Sequence, residues 1–135
     1  MPVVQTNLLE VYALEEQGAE VEARADAVLS MARRSGARKE LAQAHRALGI
    51  HLTSRRRWPE AEQQLTQALS IYRELDTRWE VGRTLYHLGL LHHRRHSGDD
   101  RVQAKAVLDE ASSIFSGLGD KCFQGRVREI LALLS

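Results

Sequence analysis

The chain repeats itself. Moving Leu48-Gly49 forward by 40 residues gives Leu88-Gly89, and moving Ala61, Leu65, Ala68, Ile71 and Leu75 forward by 43 gives Ala104, Leu108, Ala111, Ile114 and Leu118. The three extra residues fall within His96-Ser97-Gly98-Asp99-Asp100, where lengthening a loop costs little. A period of about 40 residues with helical spacing inside it predicts stacked helical hairpins rather than a catalytic fold.

Local signals agree with the period. Ala, Leu, Glu, Gln and Arg dominate between breaks at Gly18, Ser35-Gly36, Ser54, Ser97-Gly98-Asp99 and Gly117 to Asp120. No alternating apolar and polar run persists, so no strand is expected. Pro59 falls where a helix tolerates it, in a first turn. The spacing predicts seven helices, roughly over residues 3–16, 19–35, 38–54, 58–75, 78–96, 99–117 and 121–134. They form one domain over 1–135, with repeats near 1–37, 38–77 and 78–120 and a terminal helix over 121–135.

Within each hairpin a small residue (Gly49, Gly89 or Ala132) is expected to let a neighbouring helix approach. Leu48, Leu52, Leu65, Ile71 and Leu75 then fill the space, at the spacings of an amphipathic helix. On the last helix a shift of 43 lays Gly125-Arg126 under Gly82-Arg83 and Leu131-Ala132-Leu133-Leu134 under Leu88-Gly89-Leu90-Leu91. Four apolar residues among Ile130, Leu131, Leu133 and Leu134 cannot all face one hairpin. Exposed apolar surface is therefore expected there, and with it a contact with another surface, either a second copy of the chain in a homodimer through the C-terminal helix or further repeats of a longer parent.

The runs Ala47-Leu48-Gly49, Trp58-Pro59-Glu60-Ala61, Leu65, Ala68-Leu69 and Ile71 resemble a tetratricopeptide repeat. Leu85 to Gly89, Ala104, Leu108, Ala111 and Ile114-Phe115 resemble the next, with Ser112 a departure. The period exceeds the family's usual ~34 residues and is similar to that of long-repeat arrays attached to bacterial signalling ATPases, regulators and kinases. The resemblance implies an all-α, right-handed superhelix of three antiparallel helix hairpins plus a C-terminal helix, with a protein or peptide segment in its concave groove. The first helix of each hairpin lines that groove in the family. By register this gives Gln43, Arg46, Ile50 and Thr53 in the second repeat and Arg83, Tyr86, Leu90 and His93 in the third. Two arginines and a tyrosine there suit an acidic or C-terminal peptide. Replacing Arg46 and Arg83 together by alanine is expected to weaken binding and leave the melting temperature nearly unchanged.

Other constellations carry less. His87, His92, His93 and His96 cluster, and His92 and His96 are spaced to share a helix face as zinc ligands do. Arg94 and Arg95 would repel a cation, however, so a solvated helix end is the expected reading and no metal is assigned. Arg55-Arg56-Arg57 falls at a turn and offers a basic rim for phosphate. With 19 Lys and Arg against 18 Asp and Glu the net charge is only +1, which argues against a dedicated nucleic-acid binder. Asp99-Asp100 are expected to cap the helix that follows. Cys122 is expected to pack as a small apolar side chain, in the register of Trp79.

No phosphate-binding loop, nucleophile elbow or His-Glu-x-x-His helix is present in the sequence, so neither an enzyme nor a cofactor is expected. The expected function is a non-enzymatic protein-binding scaffold or regulatory domain. The single cysteine and the lack of a leader or membrane-spanning run point to the cytoplasm. A nucleic-acid-associated regulatory domain using the basic rim is the alternative, and a histidine metal site a more remote one.

Overall fold

Helix-forming residues between turn-forming breaks give six α-helices among the described residues, 18–134 of a computed structural model, and no strand there. They are α1 (Gly18–Ser35), α2 (Arg38–Ser54), α3 (Trp58–Glu74), α4 (Arg78–Arg95), α5 (Asp100–Leu118) and α6 (Lys121–Leu133). Each boundary lies within a residue or two of its sequence-based expectation. The helix expected over 3–16 lies outside the described residues. The fold is all-α, and no described helix is long and apolar enough to cross a membrane.

The chain divides into two compact units, Met1–Leu75 and Asp76–Ser135, and the division falls between the second and third repeats. In the first unit α2 packs on α3 and on α1. Ala61, Leu65 and Ala68 of α3 are fully buried, as are Ala42, Ala44 and Ala47 of α2. Val28 and Leu29 of α1 join Ala44 and Ala47 in one cluster, with Leu41, Leu48 and Ile50 packed against it. In the second unit α4 packs on α5, and α6 packs on both. Ala104, Leu108 and Ala111 occupy the places that Ala61, Leu65 and Ala68 hold in the first.

The close approach anticipated at the glycines is present. A Cβ on Gly49 would lie 2.6 Å from Leu65 Cγ, and one on Gly89 would lie 2.6 Å from Leu108 Cγ. The register did not transfer everywhere. Leu75 and Leu118, paired by the repeat, are both partly solvent-exposed because each sits at the end of its helix. Ala132 is exposed, so it seats no neighbouring helix among the described residues. Of the apolar residues near the C-terminus, Leu134 is buried, Ile130 and Leu131 are half-buried, and Leu133 is 66% exposed.

Three turns close in the same way. The amide of Ala37 reaches back to Ala32 O, that of Arg57 to Leu52 O and that of Asp120 to Phe115 O. The residue before each donor has positive φ: Gly36, Arg56 and Gly119. This is the Schellman pattern, whose left-handed position favours glycine because a Cβ there crowds the backbone. Arg56 occupies it without that freedom. Asp120 alone among the described N-cap residues bonds with its side chain, accepting from the Phe123 amide at 3.1 Å.

Candidate functional site

The second unit brings its first and last helices together around an aromatic cluster. Phe123 of α6 stacks on Phe115 of α5 at 5.2 Å between centroids, and meets Trp79 and Tyr86 of α4 edge-on at 5.6 and 5.9 Å. Such edge-to-face pairs place the positive ring edge on the negative face. Trp79 donates from Nε1 to Asp120 Oδ2 at 2.8 Å, which ties the start of α4 to the cap of α6. The Phe123 amide, and after it this indole N–H, hold the Asp120 carboxyl below its ordinary value.

Two guanidinium groups flank this cluster. Arg83 Cζ lies 5.6 Å from the Trp79 ring centre and Arg126 Cζ lies 5.0 Å from that of Phe123. Both cations are thereby pre-positioned on rigid rings, which reduces the side-chain entropy lost when they grip a ligand. Arg126 is exposed and Arg83 half-buried. The Tyr86 phenol is pushed up by burial, while the nearby Arg126 pulls it the other way.

The expected contact residues therefore separate. Arg83, Tyr86, Leu90 and His93 are all on α4 and half-buried, and the first two meet at the aromatic cluster. Those on α2 behave differently. Arg46 is 1% exposed, with its guanidinium 5.0 Å from the Tyr72 ring of α3. Thr53 is buried and donates to Gly49 O at 2.8 Å. Ile50 packs against the α1–α2 cluster, and Gln43 is half-buried. Arg46 and Thr53 are interior residues here, a correction to their reading as groove contacts.

The expectation of an unchanged melting temperature falls with Arg46. Truncating this buried arginine removes a desolvated cation–π contact and the packing of its stem. Arg46→Ala is expected to cost about 2 kcal/mol or more, visible as a lower urea midpoint. An unchanged midpoint would return Arg46 to the surface.

Phe123 and Arg126 were missed as contacts. The 43-residue shift already set Arg126 under Arg83. Phe123 had no such signal, because Glu80 holds its register on α4. The same register misled for Cys122, which is exposed although Trp79 is half-buried. Trp79 reaches across to α6, and a side chain as short as cysteine has no comparable reach.

The histidine cluster also resolves differently. His92 is buried with Nδ1 2.9 Å from Asp100 Oδ1. Among the described residues no three His, Cys, Asp or Glu side chains come together as a metal site would need. Asp100 is not a cap but the buried centre of a polar cluster. Arg55, Arg56 and Arg57 are exposed at the α2–α3 turn, where Arg57 pairs with Glu60.

A scan against protein-family models finds none that matches the chain. A comparison with curated proteins finds no match.

Proposed function

We propose that the chain is a non-enzymatic protein-interaction module of tetratricopeptide type, a scaffold or regulatory domain that receives an acidic partner segment on the α4–α6 face. The proposal includes hairpins stacked as a right-handed superhelix. The recurrence of the glycine–leucine contact at Gly49–Leu65 and Gly89–Leu108 supports it. The observation that carries the functional reading is the pair of ring-stacked arginines, Arg83 and Arg126, on two helices in contact around Tyr86 and Phe123. Cations fixed on rings and aromatic area with few rotatable bonds are the features of interaction hot spots.

Selection from a random peptide library tests this. Acidic peptides should be enriched by the chain, and the enrichment should be lost in the Arg83→Ala, Arg126→Ala double variant while its melting temperature stays within a few degrees. No enrichment, or enrichment indifferent to the two arginines, overturns the assignment.

One observation favours a second reading, a nucleic-acid-associated regulatory domain. Arg56 stands in a left-handed position that Gly36 and Gly119 hold in the equivalent turns, between two further exposed arginines. A non-glycine residue there costs about 1 kcal/mol, and strain of this kind accumulates at functional sites. Binding that falls steeply with salt and depends on Arg55 and Arg56 would favour it over peptide recognition.

A further inference from the structure

We infer that His45 makes the first unit acid-sensitive: a proton added to its buried ring in mild acid opens the α2–α3 hairpin, while the second unit stays folded. Histidine is the side chain whose charge ordinarily changes between about pH 5 and 8, so the place where it is buried decides what mild acid can open. His45 of α2 is 3% exposed, and its Nδ1 lies 2.7 Å from Gln64 Oε1 of α3. The ring therefore sits inside the contact between the two helices that carry the core of the first unit.

A charge on this ring finds little to balance it. Burial holds His45 below its ordinary value; the Gln64 bond works against that effect, and the Arg33 guanidinium adds to it. The helices packed on α2 are α1 and α3. From α1 comes the cation Arg33, and from α3 the neutral amide of Gln64. On α2 itself the next residue is Arg46, 1% exposed and also cationic. Among the described residues no carboxylate acts on the ring. His92, the buried histidine of α4, shows the alternative, since Asp100 Oδ1 lies 2.9 Å from its Nδ1 and can balance a charge there. The 40-residue shift also sets Leu85, 1% exposed, in the place of His45. The first unit thus keeps a titratable ring where the second keeps an apolar side chain.

Above about pH 6.5 the ring is neutral in the folded and the unfolded chain, and stability is full. Below that pH the unfolded chain takes the proton first. Each further pH unit then multiplies the unfolding constant by up to about ten, until the folded ring binds its own proton. The carboxylate cluster of the second unit loses its contribution only at lower pH, so a window of mild acid separates the two units.

Urea unfolding of the whole chain at pH 7.5 and 5.5 tests this, with Trp58 reporting on the first unit in a Trp79→Phe background. The midpoint is expected to fall at pH 5.5, by the equivalent of a several-fold and at most about tenfold rise in the unfolding constant. His45→Leu, the side chain found at the matching place of α4, should remove most of that fall. His45→Gln, which keeps a polar group opposite Gln64, should do the same. His51, the other buried histidine of α2, is present in every variant and cancels in the comparison. Trp79, in a Trp58→Phe background, should report a second-unit midpoint that does not share the loss. In the parent chain the His45 ring, followed by NMR, should titrate below the ordinary histidine value. An absent fall, a fall of the same size in both variants, or an equal fall in the second unit overturns the inference. So does a ring that titrates at or above about pH 6.5.

Discussion

Replacing Asp100 with alanine is expected to destabilise the second unit by about 3–5 kcal/mol, because it removes a buried carboxylate shared by the half-buried Arg95 guanidinium, the buried His92 ring and a backbone amide. Asp100 is 4% exposed at the first residue of α5. Its Oδ1 accepts from Arg95 Nη2 at 2.7 Å and its Oδ2 from Arg95 Nε and the Ser97 amide, both at 2.9 Å. His92 Nδ1 adds a contact to Oδ1 at 2.9 Å. A carboxylate only accepts, so the shorter of the two contacts at Nδ1 requires the tautomer with its hydrogen there, against a 3.3 Å approach of Arg95 Nη2 to the same nitrogen. The cluster fastens the end of α4 to the start of α5 across a turn in which His96 and Gly98 both take positive φ. Removing the carboxylate leaves the Arg95 guanidinium, the His92 N–H and a backbone amide with no acceptor from this group. Urea unfolding followed by Trp79 fluorescence in a Trp58→Phe background reads the second unit separately. A loss below about 1 kcal/mol would mean that the pair behaves as an ordinary surface contact.

The same cluster predicts a pH dependence. Hydrogen bonds from Arg95, above all, hold the Asp100 carboxyl well below the usual carboxylate range against the opposing effect of burial. An aspartate lowered in this way binds its proton more readily when unfolded, where its value is about 3.9. Its stabilisation is therefore fully present above about pH 5 and lost as the pH falls toward the folded value. The stability gap between the parent chain and Asp100→Asn should narrow between about pH 7 and about pH 3. A constant gap would place the effect in packing instead of charge.

Helix positions were legible in the sequence because propensity, punctuation and an internal period all carry the same information. The glycine–leucine contacts were legible for the same reason, since a repeat displays each contact twice. Asp100 was not. The local signal for Asp before a helix is a cap, and the contact that outcompetes it joins His92 and Asp100 across the three-residue insertion that breaks the repeat. His92 also stands in the register of Leu52, so a buried apolar position has become a buried polar one that needs an acceptor. Arg46 failed through burial. A first-helix register places a residue on a face, whereas the Tyr72 ring of α3 decides whether that face is covered. At the candidate site the register carried contact residues onto α4 and none onto α6, although the same 43-residue shift sets Arg126 of α6 under Arg83.

Replacing Leu108 with alanine is expected to cost about 3–5 kcal/mol, and the loss should depend on the residue opposite, Gly89. Leu108 is fully buried, and a Cβ built on Gly89 would lie 2.5 Å from its Cδ2 and 2.6 Å from its Cγ. Gly89→Ala alone must displace that leucine, an overpacking cost of about 1–3 kcal/mol that offsets the ~1 kcal/mol helix-propensity gain of alanine. In the Leu108→Ala background the new methyl enters the vacated space, and the same substitution should become stabilising by about 1 kcal/mol. The double-mutant cycle should therefore show a coupling of about 2 kcal/mol. Gly49 and Leu65 supply the internal control. Their Cβ would meet Cγ at 2.6 Å and Cδ2 at 2.8 Å, and the Leu65 amide nitrogen lies 3.3 Å away. That backbone neighbour yields less readily than a side chain, so Gly49→Ala should be the costlier of the two. Coupling energies of the same sign in both hairpins would establish that the repeat conserves one packing solution. Additive losses in either would show that the resemblance between the hairpins stops at the sequence.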